Sequence, residues 1–345
     1  MPSDGRISVQ LRLEDVVALT FFLLTFSLRL LVQGFRYVNL SPADVLVIIP
    51  AVTLLLAKEF VHYFWATGRK PAGESGGLGD FVRPYWEIVR DWFPFLLILL
   101  MYYSLWGDAT HLLVSRDRDL QLIAWDQRLF GFQASVAMQR FISQPLTAWM
   151  EFAYTFHILN VPIVGCFVYL RRPRPRYREM MAGVLMVTFF GLIGYLLVPA
   201  VGPMYTLREL YTVPLRAPLE IVNRQIEFMD YARIQRDVFP SLHVGISFVV
   251  WLYAYRNSRR LFWILSPFIL SLFVSTIYLR YHYLVDVLAG LILAPLGFLL
   301  ANWLFKRAGD VRFSLHLPAG WAEQIHRWGW PRETAPAPKK IEERP

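Results

Sequence analysis

Two short stretches of the chain gather side chains suited to phosphoryl chemistry. One is Phe239-Pro240-Ser241-Leu242-His243; the other is Arg280-Tyr281-His282-Tyr283-Leu284-Val285-Asp286. Both stand at the edge of long apolar runs, where an ionisable residue is costly and needs a reason. His282 and Asp286 are four apart, a spacing that predicts one shared helix face. A carboxylate so placed can accept one imidazole N–H, fix the tautomer and leave the other nitrogen free to attack. In the first stretch, Pro240 suits the first turn of a helix, where free N–H groups and the positive dipole end favour an anion such as phosphate. The pattern predicts a division of labour. His282, oriented by Asp286, is the nucleophile toward phosphorus, and His243 is the general acid for the departing oxygen. Ser241, Arg280 and helix N-terminal amides stabilise charge on the group in transit. The scheme needs no metal and no other cofactor. Reading His243, His282 and Asp286 as metal ligands is weaker, because the H-E-x-x-H helix motif is absent. The bland alternative is an interfacial histidine and a structural His–Asp pair. Two such motifs opening helices on one membrane face make coincidence a poor account.

The elements that must carry these residues are apolar. Of 345 residues, 56% are hydrophobic and only 18% charged, against about 25% charged in a soluble domain. Mean hydropathy is +0.39. Runs near 20 residues long have the length needed to cross ~30 Å of hydrocarbon as helix. This predicts an all-α, polytopic membrane protein with about eight transmembrane helices, near 14–33, 44–65, 92–107, 147–170, 179–199, 240–256, 261–280 and 282–305. It excludes disorder, a disulfide scaffold and an ordinary soluble enzyme. The lone Cys166 can form neither an internal disulfide nor a cysteine zinc site.

The formal charge is +9. No basic stripe with interleaved aromatics lies outside the apolar runs, so nucleic acid is not expected as a partner; membrane lipids are. Five arginines fall within 171–178 and three within 256–260, and Lys306, Arg307 and Arg312 follow the last run. With the four basic residues of 66–91, they share one side if the spans alternate. The positive-inside rule makes that side cytoplasmic, together with both termini, and puts 108–146 and 200–239 outside. A Gly/Pro-rich linker at 68–80 sets an N-terminal pair of spans (1–90) apart from a six-span body (91–307). Residues 308–345 read as a polar, Pro-rich disordered tail, whose middle could equally lie on the membrane as an amphipathic helix. Lys58, Glu59 and His62 read as interfacial.

At these motifs the sequence resembles the PAP2 (type 2 phosphatidic acid phosphatase) superfamily of membrane phosphatases and phosphotransferases, closest to the branch of the inositol phosphorylceramide synthases. Pro240, Ser241 and His243 match its Pro-Ser-x-His motif. Ser275, His282 and Asp286 match Ser-Arg-x5-His-x3-Asp, with Thr276 in place of Arg. The motif Lys-x6-Arg-Pro is absent; Val198-Pro199-Ala200-Val201-Gly202-Pro203-Met204-Tyr205 stands in its place and resembles the Pro-rich outer loop of that branch. Asp126-Gln127-Arg128-Leu129-Phe130-Gly131 and Tyr154-Thr155-Phe156-His157 are weaker echoes. The resemblance covers roughly 92–305. It implies a six-helix core, an outward-facing site and a phosphohistidine on His282. The acceptor is water in the phosphatases and a lipid alcohol in the synthases, whose donor is phosphatidylinositol.

Without the Lys and Arg of the missing motif, the phosphate clamp must be rebuilt. Arg280 is the nearest candidate; Arg233 and Arg236 are others, or else solvated loop charges. His157 and Tyr205 could meet the headgroup, though a buried core histidine is the commoner fate for His157. Asp126 could position the outer loop, or serve as a cap. Transfer to a lipid alcohol, release of phosphate from a polyprenyl or glycerolipid phosphate, and a non-enzymatic lipid transporter or binding protein are the three readings in that order.

Overall fold

The computed structural model describes residues 6–33, 85, 87–94, 114–220, 222–224, 236–307 and 311–316. The span expected at 44–65, most of the one at 92–107 and the linker at 68–80 lie outside them. The chain begins with strand β1 (Arg6–Leu11) and helix α1 (Leu13–Gln33). It resumes with α2 (Asp119–Phe130), the short α3 (Ala134–Ala137) and a 3-10 turn at Met138–Phe141. Then follow α4 (Gln144–Thr155), α5 (His157–Arg171) and α6 (Arg174–Leu197). The single turn α7 (Pro203–Thr206) precedes α8 (Leu242–Asn257), α9 (Arg259–Tyr278), α10 (Leu284–Arg307) and strand β2 (Val311–His316).

Three of these, α6, α9 and α10, are long and apolar enough to cross a membrane. The span expected at 147–170 is broken: α4 and α5 meet at 48° and pass the same test only as a pair. The break, at Phe156, falls six residues before Pro162, which cannot supply an amide to the Ile158 carbonyl. On α10, Leu288, Ile292, Leu296, Leu299 and Trp303 form an exposed stripe. Its opposite face, with Gly290, Ala294, Gly297 and Ala301, is buried against the bundle. That polarity is what a lipid-facing helix requires.

Helix α8 is the centre of the bundle, packed against α5, α6, α9 and α10. Small residues let the backbones close in: a Cβ on Gly290 would stand 2.5 Å from the Ser241 carbonyl oxygen, and one on Gly194 2.2 Å from Pro240 Cδ. At the start of α6, ion pairs tie the N-terminal segment to the bundle. Arg12 meets Asp91 at 2.5 Å, Arg174 meets Asp91 at 2.6 Å and Arg178 meets Glu14 at 2.7 Å. Burial pulls the Arg12 pKa down, but Glu14 and Asp91 outweigh it and the net shift is upward.

One expectation about the tail is corrected. Residues 311–316, read as the start of a disordered segment, pair antiparallel with β1, from Arg6 opposite His316 to Leu11 opposite Val311. The two strands rescue each other: neither sequence alone signals a sheet, and the ladder joins residues three hundred positions apart. The chain is therefore helical with one two-stranded ribbon among the described residues.

Candidate active site

His282 is delivered by a turn, not by the helix expected to carry it. Helix α9 ends at Tyr278, and the carbonyl of Thr276 accepts the N–H of both Tyr281 and His282 at 3.0 Å. Arg280 takes a left-handed φ of 68° to make that reversal. Helix α10 starts only at Leu284, so His282 and Asp286 meet across its N-terminus and not along one helical face. Asp286 Oδ2 accepts the Tyr283 N–H at 2.8 Å and lies 3.5 Å from His282 Nδ1. That is longer than a hydrogen bond, but a buried carboxylate at this distance still favours the proton on Nδ1. Both side chains are almost wholly buried, at 1% and 0% exposure. Nε2 of His282 then carries the lone pair.

Pro240 is likewise not the first residue of its helix. It precedes Ser241, the N-cap of α8, and the Phe239–Pro240 bond is cis. The Ser241 N–H is bonded to the Asp286 carbonyl at 3.0 Å, which joins the start of α8 to the start of α10. His243 projects from the first turn of α8. Its Nδ1 lies 3.3 Å from His282 Nε2, and its Nε2 lies 3.0 Å from the Tyr154 hydroxyl. The two imidazoles from separate helices converge, with ring centroids 5.5 Å apart and planes at 62°.

The other expected residues divide. Ser241 Oγ is buried and has no hydrogen-bond partner among the described residues, which suits a donor awaiting an oxyanion. Arg280 gives one guanidinium nitrogen to the Val213 carbonyl and stacks on Tyr211 at 4.1 Å, while its Nε has no partner among the described residues. Burial lowers its pKa from the ordinary arginine value, with Tyr211 and Tyr278 opposing. Arg236 is spent on Asp117, at 2.6 Å. Tyr205, on α7, is about half exposed. Arg233 lies outside the described residues. His157 sits at the α4–α5 break with its ring centroid 4.5 Å from that of His243. Among the described residues no three His, Cys, Asp or Glu side chains group as a metal site.

Residues 120–300 match the family model of the PAP2 superfamily. The chain belongs to that superfamily. A curated relative, phosphoinositol dihydroceramide synthase of Bacteroides thetaiotaomicron, is 30% identical over 175 residues, which are 46% of this chain and 55% of the relative. The chain thus spans little more than half the length of that relative. No solved structure matches it. Membership of the PAP2 superfamily and three apolar spanning helices make this an integral membrane protein.

In this PAP2 chain, sequence reasoning saw only one part, the cap role of Asp126, of a frame built on α2. Asp119 and Asp126 are seven apart, two turns, on one face. Asp126 accepts the N–H of Leu284 at 3.0 Å and of Val285 at 2.9 Å, capping α10 from another element. Its pKa is raised by burial, against the pull of those two bonds. Asp119 accepts Val201 N–H at 3.0 Å, Gly202 N–H at 2.8 Å and the Tyr283 hydroxyl at 2.8 Å. Burial and that carboxylate raise the Tyr283 pKa. The frame corrects the role expected of the helix amides: those opening α10 are taken by Asp126 and Asp286, so of these two helix starts it is that of α8 that is left for a phosphate. Asp126 belonged to a legible motif; nothing in the sequence pointed to Asp119 or Tyr283.

Proposed function

We propose that this protein is a membrane phosphotransferase that moves a phospholipid headgroup, as its phosphodiester, onto a lipid alcohol through a phosphohistidine on His282. The observation that carries the reading is the 3.3 Å approach of His243 Nδ1 to His282 Nε2, with Asp286 behind the second ring. In this scheme the ring contact opens and the Nε2 lone pair of His282 attacks phosphorus. The P–O bond to the first alcohol breaks, and cationic His243 passes its Nδ1 proton to the departing oxygen. Tyr154 holds the other nitrogen of His243. Ser241 and the free Nε of Arg280 face the charge of the transition state. Transfer to an alcohol is preferred over release to water on the name of the relative, and phosphatidylinositol is the donor that resemblance suggests. We place the site on the extracytoplasmic face and both termini in the cytoplasm, on the arginine-rich connections at 171–178 and 256–260.

The test is incubation of purified protein with headgroup-labelled phosphatidylinositol, with and without dihydroceramide. A new labelled lipid and an acid-labile labelled protein, both lost in His282→Ala, support the reading. Release of water-soluble phosphate ester alone supports the phosphatase instead. A fully active His282→Ala refutes the nucleophile.

A further inference from the structure

We propose that His157 receives the hydroxyl of the accepting lipid alcohol and takes its proton; this rests on the phosphohistidine reading above. The tautomer comes from a single contact. His157 Nδ1 lies 2.6 Å from the Tyr154 carbonyl oxygen, which can only accept, so Nδ1 carries the proton. Neutral His157 therefore holds its lone pair on Nε2, and that nitrogen has no hydrogen-bond partner among the described residues. A half-buried imidazole with one nitrogen fixed and the other open is the arrangement a general base requires.

Its place fits the acceptor rather than the donor. The ring stands 4.5 Å from that of His243, which stands 5.5 Å from that of His282. These separations bound the distance to His282. A phosphorus on Nε2, an oxygen approaching it at about 3 Å and a hydrogen bond from that oxygen fit within the bound. His157 also opens α5 at the broken span, where the next two residues, the apolar Ile158 and Leu159, are 55% and 51% exposed. An alcohol carried by a lipid reaches Nε2 sideways through that break. Tyr154 organises both imidazoles, its carbonyl on His157 and its hydroxyl on His243.

The step balances as follows. The acceptor O–H bond breaks and its proton goes to His157 Nε2. The oxygen forms a bond to phosphorus while the P–N bond breaks and returns its electron pair to His282 Nε2. His157 leaves the step as an imidazolium, still bonded through Nδ1–H to the Tyr154 carbonyl, and its Nε2 proton returns to His243, whose ring stands 4.5 Å away and which gave its own proton to the first alcohol.

The experiment uses the full chain in lipid nanodiscs with labelled phosphatidylinositol, dihydroceramide and water as competing acceptors. In His157→Gln the ratio of lipid product to hydrolysis product is expected to fall ~100-fold, the usual loss for a missing base, while the labelled protein on His282 still accumulates. In His157→Ala, added imidazole is expected to restore part of the transfer. An unchanged ratio in His157→Gln overturns the assignment. So does loss of transfer that imidazole fails to restore in a His157→Ala protein that still becomes labelled. No labelled protein from the unaltered chain instead overturns the phosphohistidine reading, and this inference with it.

Discussion

His243 Nδ1 and His282 Nε2 are in hydrogen-bond contact at 3.3 Å, although 39 residues separate them. Direct contact has a kinetic consequence. A phosphorus atom attacked along the line of the Nε2 lone pair must enter between the rings, so one ring has to yield as substrate binds. His282 is held by the turn, through its own N–H and the neighbouring Asp286. His243 is held by Tyr154 from the side away from phosphorus. The expected motion is therefore a small swing of His243 on the first turn of α8.

Asp286→Asn keeps an oxygen for the Tyr283 N–H but removes the charge beside His282 Nδ1. The tautomer that keeps the lone pair on Nε2 is then no longer favoured. Turnover is expected to fall by about 10³-fold or more with the fold intact, as in other His–Asp pairs that lose their charge. The check is labelled-phosphoenzyme formation set beside the thermal midpoint of the same preparation. Equal activity would remove Asp286 from the mechanism.

Tyr154→Phe deletes the hydroxyl 3.0 Å from His243 Nε2 and leaves the carbonyl on His157 in place. A hydrogen bond to a charged imidazole contributes about 1.5–3 kcal/mol, so kcat is expected to drop about 10-fold to 100-fold. KM for the donor is expected to stay near its original value, since Tyr154 acts through His243. A rise in KM with unchanged kcat would make Tyr154 a headgroup contact instead.

Gly290→Ala puts a methyl 2.5 Å from the Ser241 carbonyl oxygen, a backbone atom that cannot rotate away. Overpacking of this kind costs about 1–3 kcal/mol. Because the strain falls on Ser241, two residues before His243, both the thermal midpoint and kcat are expected to fall. Gly297→Ala, two turns deeper, meets Val187 Cγ2 at 2.5 Å and is expected to lower the midpoint with little effect on kcat. Thermal unfolding in detergent and the transfer assay, run on both variants, separate the two effects.

Asp126→Ala removes the cap from Leu284 and Val285 and is expected to cost about 1–2 kcal/mol. The charge has its own signature. Burial raises the Asp126 pKa above the ordinary 3.8. As pH falls the native state takes up this proton before the unfolded chain does. The ionised carboxylate therefore lowers stability near neutrality, and that cost disappears as pH drops through the folded value toward the unfolded one. Against Asp126→Asn, which does not titrate, the unaltered protein is expected to gain relative stability as pH falls toward 3.8. Midpoints measured for both proteins over that fall in pH decide it.

The long apolar helices were legible because span length and hydropathy follow from composition alone: α1, α6, α9 and α10 lie within a few residues of their expected places. So were His243, His282 and Asp286, since their spacing sits in two short local motifs. The helix starts were less so. His282 falls outside α10 because two amides compete for the Thr276 carbonyl, a bond that spacing does not reveal. Asp119, the contact of Tyr154 with His243 and the β1–β2 ribbon were invisible, since each joins partners that the chain brings back from 82 to more than 300 residues away. Local pattern determined which residues could do chemistry and which segments would be buried in lipid. Only packing decided which partner each imidazole nitrogen meets, because a tautomer is set by the partner that arrives in space.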